Sequence, residues 1–165
     1  MKMAVLGVSK EIEKEAEKTR QNILVVISEG EDSRKVFDAA VQMVKETGGK
    51  IILAALIDKN IKPPFEFNKF VANERINAEP AYVYKMMYGE QLLRPFEEVL
   101  IKEGIEYEKI IEPENTMKRI ASLAEYVSPA RIVIGLNELR KTTKGIFRSQ
   151  RKFMEKISCP ITIIP

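Results

Sequence analysis

The sequence predicts an α/β protein built on a doubly wound, five-stranded parallel sheet. Short runs of apolar residues alternate with longer amphipathic segments along most of the chain. Two of these runs, residues 23–27 and 51–57, contain no polar residue, which is typical of strands that helices cover on both faces. Strands that alternate with helices favour parallel pairing through right-handed crossovers.

Composition limits the classes of function. The chain has 165 residues, 45% of them hydrophobic and 31% charged, which fits one soluble globular domain. The net charge of +3 is too small to indicate a nucleic-acid partner by itself. The chain has no histidine, which excludes Ser-His and Cys-His catalytic pairs and metal sites that need imidazole, so we predict no metal site.

Cysteine usage and apolar run length predict the location. Cys159 has no second cysteine to pair with, which favours a reducing compartment and a role as a small buried apolar residue. The longest apolar run, residues 51–57, is too short to cross a membrane, and the N-terminal residues do not have the pattern of a signal peptide. We therefore expect a cytoplasmic protein without a membrane partner. A soluble domain of a larger transporter would have the same sequence features.

The elements of the first half follow from periodicity. Residues 1–21 form a predicted helical extension, capped at Ser9, ahead of a domain that spans residues 22–165. A strand over residues 23–27 precedes a helix over residues 32–46, which Gly48 and Gly49 end, and the strand 51–57 follows. Residues 58–81 lack periodicity, so they are predicted to form an irregular insert with three phenylalanines.

The second half continues the alternation. A long helix is predicted over residues 82–103, with a kink at Pro95 and an end at Gly104. Strands follow over residues 107–111, 132–134 and 161–164, separated by a helix from about Met117 and another over residues 146–157. In such sheets ligands bind beyond the carboxyl ends of the strands. That edge would gather residues 28–33, Asp58 and the loop after Gly135.

Three segments together resemble the universal stress protein family. They are ILVVISEGEDSRKVFDAA, IILAALID and IVIGLNELRKTTKGIFRSQRKFMEKISCPITIIP, the last of which ends in Cys-Pro and a β-rich run. The resemblance implies the adenine-nucleotide alpha-hydrolase-like fold, to which the predicted N-terminal helix is an addition. It also implies a homodimer, which we expect to form through the C-terminal strand 161–165. In many members it implies ATP or AMP binding without a defined set of catalytic residues.

The glycine pattern of the nucleotide-binding members is only partly present. In that family a glycine is followed after two residues by a second, and after nine more by a third that precedes Ser or Thr. Here the corresponding residues are Gly135, Glu138, Arg148 and Ser149. Glycines let the backbone approach phosphate closely, and a carboxylate a few ångström from a phosphate charge repels it by about 1 kcal/mol even in water. Arg148 either compensates by pairing with phosphate or closes the site by pairing with Glu138.

The resemblance also assigns the remaining candidate binding residues. Ser28 stands where nucleotide-binding relatives have an aspartate, and Leu56 where they have an apolar residue against adenine. The full candidate set comprises Ile27, Ser28, Leu56, Gly135, Lys144, Arg148 and Ser149. The surrounding run has cations at 140, 141, 144, 148, 151 and 152, which favours an anionic small molecule or an acidic protein partner over nucleic acid.

These observations predict a non-catalytic universal stress protein domain with a diverged nucleotide site, acting in stress response or regulation as a dimer. The alternative is a regulator that binds ATP, AMP or another anionic small molecule. An enzyme such as a weak ATPase is a third interpretation. No general base has a clear position, and Glu29, Glu31, Asp32 and Asp58 are candidates only by location.

Overall fold

The computed structural model describes residues 21–143 and 147–165, apart from the side chains of residues 143, 147–150 and 153. The predicted extension 1–21 lies outside the described residues except for Gln21. The elements in chain order are β1 (Ile23–Ile27), α1 (Asp32–Thr47), β2 (Ile51–Leu56), α2 (Phe65–Asn73), α3 (Pro80–Glu103), β3 (Tyr107–Glu112), α4 (Met117–Val127), β4 (Arg131–Gly135), α5 (Leu136–Thr143), α6 (Phe147–Lys156) and β5 (Ile161–Ile164).

The five strands form one parallel sheet in the order β3-β2-β1-β4-β5. Ile23 pairs with Ile51 on one side and with Arg131 on the other, so strand order reverses at the β1–β4 boundary. This is the topological switch point of a doubly wound sheet. The predicted fold class is confirmed.

Apolar side chains pack on both faces of the sheet. One face holds Val25 and Leu53 against α1 and α3, where the rings of Phe37 and Phe96 lie 4.9 Å apart. The other face holds Leu24, Val26 and Ile132 against α4 and against Leu139 of α5. Burial on both faces explains why the central strands are uninterrupted apolar runs.

The structure differs from the sequence prediction in two places. A helix, α2, lies inside the stretch 58–81 that was predicted to be irregular. Its ends are marked by the prolines and polar residues that suggested a loop, but Val71 is buried and the Phe67 ring packs 5.1 Å from that of Tyr84 on α3. A second helix, α5, begins directly after Gly135, where a loop was predicted. The domain boundaries at 21–22 and the limits of the insert remain predictions.

The helices α1 and α3 end at the glycines that were predicted to end them. Gly48 and Gly104 adopt φ of 74° and 66° at the ends of α1 and α3, a left-handed conformation that glycine accepts without strain. Pro80 is the first residue of α3, where its missing N–H costs no helical hydrogen bond. None of the helices in the described ranges is long and apolar enough to span a membrane.

Candidate binding site at the carboxyl edge of the sheet

The turn after β1 is fixed by one buried serine. Ser33 in the first turn of α1 donates its hydroxyl hydrogen to the backbone oxygen of Ser28 at 2.6 Å. The backbone N–H of Ser28 donates to the same hydroxyl at 3.1 Å. Two hydrogen bonds therefore set the position of Ser28 at the carboxyl end of β1, while Glu29 and Glu31 in the turn stay exposed.

Glu138 is buried at the same edge. Because α5 starts immediately after β4, Glu138 lies in the first turn of that helix and is only 5% exposed. Burial raises the pKa of Glu138, and the negative charge of Asp58 raises it further, whereas an interaction with the Ser28 side chain and the charge of Lys141 lower it. Ser28 follows β1 and Asp58 follows β2, so these neighbours belong to the carboxyl edge of the sheet, as Glu138 does. Its Oε1 atom has no hydrogen-bond partner in the described structure.

Asp32 contributes a second unpartnered carboxylate oxygen. Its Oδ2 atom is buried and accepts no hydrogen bond from the described residues. The side chain lies against Gly135, since a Cβ on that glycine would come 3.1 Å from the Asp32 Cβ and 3.4 Å from Oδ2. The space that Gly135 leaves beside the backbone therefore accommodates Asp32. Each unpartnered buried acceptor costs about 1–3 kcal/mol of stability.

The structure brings only part of the predicted binding set to this edge. Ser28 and Gly135 lie there, whereas the side chains of Ile27 and Leu56 are buried in the cores on opposite faces of the sheet. Lys144 lies outside the described residues. Arg148 and Ser149 belong to α6, but their side chains also fall outside the described part, so their predicted roles stay predictions.

Three of the four general-base candidates lie in exposed positions. Glu29, Glu31 and Asp58 are exposed, and Asp58 accepts a hydrogen bond from the backbone of Asn60 at 2.8 Å. This contact fixes the turn after β2. Within the described ranges, no group of three or more Asp, Glu, Cys or His side chains is arranged to hold a metal ion.

The fold of the chain matches solved structures, whereas its sequence matches no family model and no curated protein. No protein-family model matches the sequence, and no curated protein matches it as a relative. Among solved structures, a universal stress protein family protein from Burkholderia pseudomallei is 15% identical, with 89% of this chain and 97% of that one covered and a TM-score of 0.57. A universal stress protein from Archaeoglobus fulgidus in complex with dAMP is 18% identical, with 88% and 98% covered and a TM-score of 0.53.

A third match is a universal stress protein family protein from Arabidopsis thaliana with AMP bound. It is 17% identical, with 87% of this chain and 90% of that one covered and a TM-score of 0.54. The chain has the universal stress protein fold. The resemblance noted in the sequence is therefore confirmed in the arrangement of the strands and helices.

On this universal stress protein fold, the basic run near the C-terminus is spread over several surfaces. The charge of Lys141 lowers the pKa of Glu138, and Arg151 forms an exposed ion pair with Glu155 at 3.1 Å. Lys152 instead lines a cleft of about 990 Å³ between α4 and α6, which also contains Cys159. Burial raises the pKa of the Cys159 thiol. Lys141, Arg151 and Lys152 therefore do not converge on one anion site.

One lysine at this edge was not singled out by the sequence. The Nζ atom of Lys85 on α3 donates to the backbone oxygens of Lys59 at 3.1 Å and Pro113 at 3.2 Å. It thereby ties together the loops that follow β2 and β3. No local sequence signal distinguishes it from the exposed lysines of other helices, because its acceptors are 26 and 28 residues away.

Proposed function

We propose that the chain is a non-catalytic universal stress protein domain whose nucleotide site has diverged, and that it acts in stress response or regulation as a dimer. The observation that carries the proposal is the burial of Glu138 beside Ser28. In the glycine pattern of nucleotide-binding members, Glu138 stands at the second glycine. A phosphate there would meet a carboxylate instead of a backbone amide.

The position of Asp32 supports the same proposal. Its carboxyl group lies beside Gly135, the first glycine of the pattern, where a Cβ would come 3.4 Å from the Asp32 Oδ2 atom. An acidic group beside Gly135 and a second one at Glu138 disfavour an anion in this place, although the charge of Lys141 lowers the pKa of Glu138. Three of the four candidate bases, Glu29, Glu31 and Asp58, are exposed, which supports a binding role rather than a catalytic one.

The alternative is a regulator that binds ATP, AMP or another anionic small molecule. It is favoured by the dAMP and AMP with which two proteins of this fold were solved. Arg148 and Ser149 would be the residues of this chain that contact the phosphate.

Calorimetric titration with AMP and with ATP separates the two candidates. We expect no binding to the wild type, and binding to the Glu138→Gly, Arg148→Gly double variant, because backbone amides then become accessible. Asn137→Gly is the matched control, since it places glycine at the exposed neighbouring position of α5. Micromolar binding to the wild type, or a nucleotide that co-purifies with it by mass spectrometry, would overturn the diverged-site proposal.

Dimerisation through residues 161–165 is supported by the position of β5. It is an edge strand that pairs only with β4 within the described sheet, and all four of its side chains are half-buried. A free strand edge is normally covered or paired, and a two-fold axis would pair β5 with its copy.

Analytical ultracentrifugation tests the dimer. We expect a dimer for the wild type and a shift towards monomer for Ile164→Lys, with Ile101→Lys on the exposed face of α3 as control. A wild type that is monomeric at high micromolar concentration contradicts the proposal.

A further inference from the structure

We propose that the cleft between α4 and α6 binds an amphipathic anion, a medium-chain carboxylate with an apolar body and one anionic head group. The cleft has a volume of about 990 Å³, at the upper end of the range of about 300–1,000 Å³ that is usual for small-molecule sites. Its described lining residues include none of Ser28, Asp32, Gly135 and Glu138. It is therefore a second site, and ligand binding there is independent of the proposed function.

The floor of the cleft is apolar. Met117 and Ala121 of α4 line it, as do Ile157 and Cys159, which follow α6. These four side chains pack against the core on the same face of the sheet, yet each is only half-buried. A ligand with an apolar body would remove this exposed apolar surface from water, which favours binding.

The rim of the cleft is positively charged. Lys118 belongs to α4, and Lys152 and Lys156 lie one helical turn apart on α6, so both walls contribute lysines. Glu125 is the one acidic residue among the described lining residues. Three lysines against one glutamate give the cleft a net positive charge, which complements an anion.

The cleft lysines are not used in ion pairs of the described fold. Elsewhere on the surface, Lys50 Nζ lies 2.8 Å from the Glu108 carboxylate, and Lys109 contacts both Glu90 and Glu97. Within residues 21–143 and 147–165, none of the three cleft lysines forms such a pair. Their charges are therefore not offset by a contacting carboxylate of the described residues.

An apolar floor beneath a cationic rim favours a ligand with both properties. A purely polar anion would leave the floor in contact with water, and a neutral apolar molecule would leave the lysines without a partner. The 11 residues of α4 provide a wall of about 16 Å at 1.5 Å per residue, which suits a linear chain. Burial raises the pKa of the Cys159 thiol, so at neutral pH the thiol is uncharged and does not repel an anion.

Cys159 is also the reporter for the experiment, because it lines the cleft and is the single cysteine of the chain. The full chain is treated with iodoacetamide, an uncharged reagent, at increasing concentrations of octanoate below its micelle concentration, and mass spectrometry follows the modification. We expect octanoate to slow the reaction to a saturating limit, and octan-1-ol at equal concentration to slow it less. Hexanoate, which is two CH₂ groups shorter, should bind about tenfold more weakly.

Two variants test the walls of the cleft. Octanoate should bind about fivefold more weakly to the Lys152→Gln, Lys156→Gln double variant. Ala121→Leu, which fills the floor, should abolish the protection of the thiol. The matched control is the Lys35→Gln, Lys102→Gln double variant, which loses the same charge at exposed positions of α1 and α3 and should bind as the wild type does. Thermal melting confirms that each variant is folded.

Three results would overturn the proposed site. They are a Cys159 reaction that octanoate does not slow, equal protection by octan-1-ol, and protection that neither cleft variant changes. A parallel AMP titration keeps the two proposals apart. AMP binding to the wild type would overturn the proposed function and leave the cleft site standing, whereas absence of octanoate binding would overturn only the cleft site.

Discussion

The two ends of the parallel sheet are built differently. At the amino end, backbone groups hydrogen-bond directly to one another. These bonds run from Ile23 N to Lys50 O at 3.0 Å, Ile51 N to Glu106 O at 3.0 Å, Ala130 N to Asn22 O at 2.8 Å and Ile132 N to Pro160 O at 3.0 Å. At the carboxyl end, one direct backbone bond joins Ile57 N to Glu112 O at 2.9 Å. Side chains make several of the other connections there, through Ser33 and Lys85, and two carboxylate oxygens are unpartnered.

This difference between the two ends associates the amino end with stability and the carboxyl end with binding. Satisfied backbone groups at the amino end contribute to a rigid closure of the sheet. Unpartnered buried acceptors at the carboxyl end reduce stability, as is common where function is located. Substitutions that change a side chain by a similar number of atoms at the two ends should therefore change the free energy of unfolding by unequal amounts.

The largest expected effect is at the amino end, for Gly49→Ala. A methyl group at this position would overlap the backbone oxygen of Gln21, so the backbone must shift. We expect the free energy of unfolding to fall by about 1–3 kcal/mol, measured by chemical denaturation. Gly30→Ala at the carboxyl end is the matched control. There the nearest atom is 3.7 Å from the added Cβ, and a change within about 0.5 kcal/mol is expected. Equal losses at the two glycines would remove the contrast between the ends.

A smaller loss is expected for Ser33→Ala at the carboxyl end. The change removes both hydrogen bonds to the Ser28 backbone and leaves the Ser28 N–H without its partner. The free energy of unfolding should fall by about 1–2 kcal/mol. Ser122→Ala in α4 is exposed and also lies within a helix, so it controls for the higher helix propensity of alanine. A Ser33 variant as stable as the Ser122 variant would show that this turn is held by other contacts.

The smallest expected effect is a pH dependence of the free energy of unfolding that comes from Glu138. Because burial raises the pKa of Glu138 in the folded chain, the folded state keeps this proton to a higher pH than the unfolded state does. The contribution of protonated Glu138 to the free energy of unfolding is fully present below the ordinary glutamate pKa of about 4.3. It is lost as pH rises through the pKa of Glu138 in the folded chain. Glu138→Gln should therefore gain stability relative to the wild type between acid and neutral pH.

Denaturation at several pH values in that window measures this gain. Glu98→Gln, on the exposed side of α3, controls for the loss of one negative charge. A constant difference between wild type and Glu138→Gln across the window would contradict the burial of an ionisable carboxyl group.

Much of the fold could be predicted because its signals are local. The apolar runs of β1 and β2 require cover on both faces, and Gly48 and Gly104 stop their helices by backbone conformation alone. The helix α2 was missed because prolines and polar residues surround a short apolar pattern. Its stability comes from packing on Tyr84, which lies in a different element.

The candidate site depended more on tertiary contacts. The sequence by itself determined that a glutamate and an arginine stand at two glycine positions of the nucleotide-binding pattern, because that comparison needs only spacing. It could not determine that Glu138 is buried beside Ser28, that Asp32 fills the space beside Gly135, or that Lys85 joins two loops. These outcomes were decided by the tertiary structure, because α5 begins directly at the end of β4 and parallel strands bring residues distant in sequence to one edge.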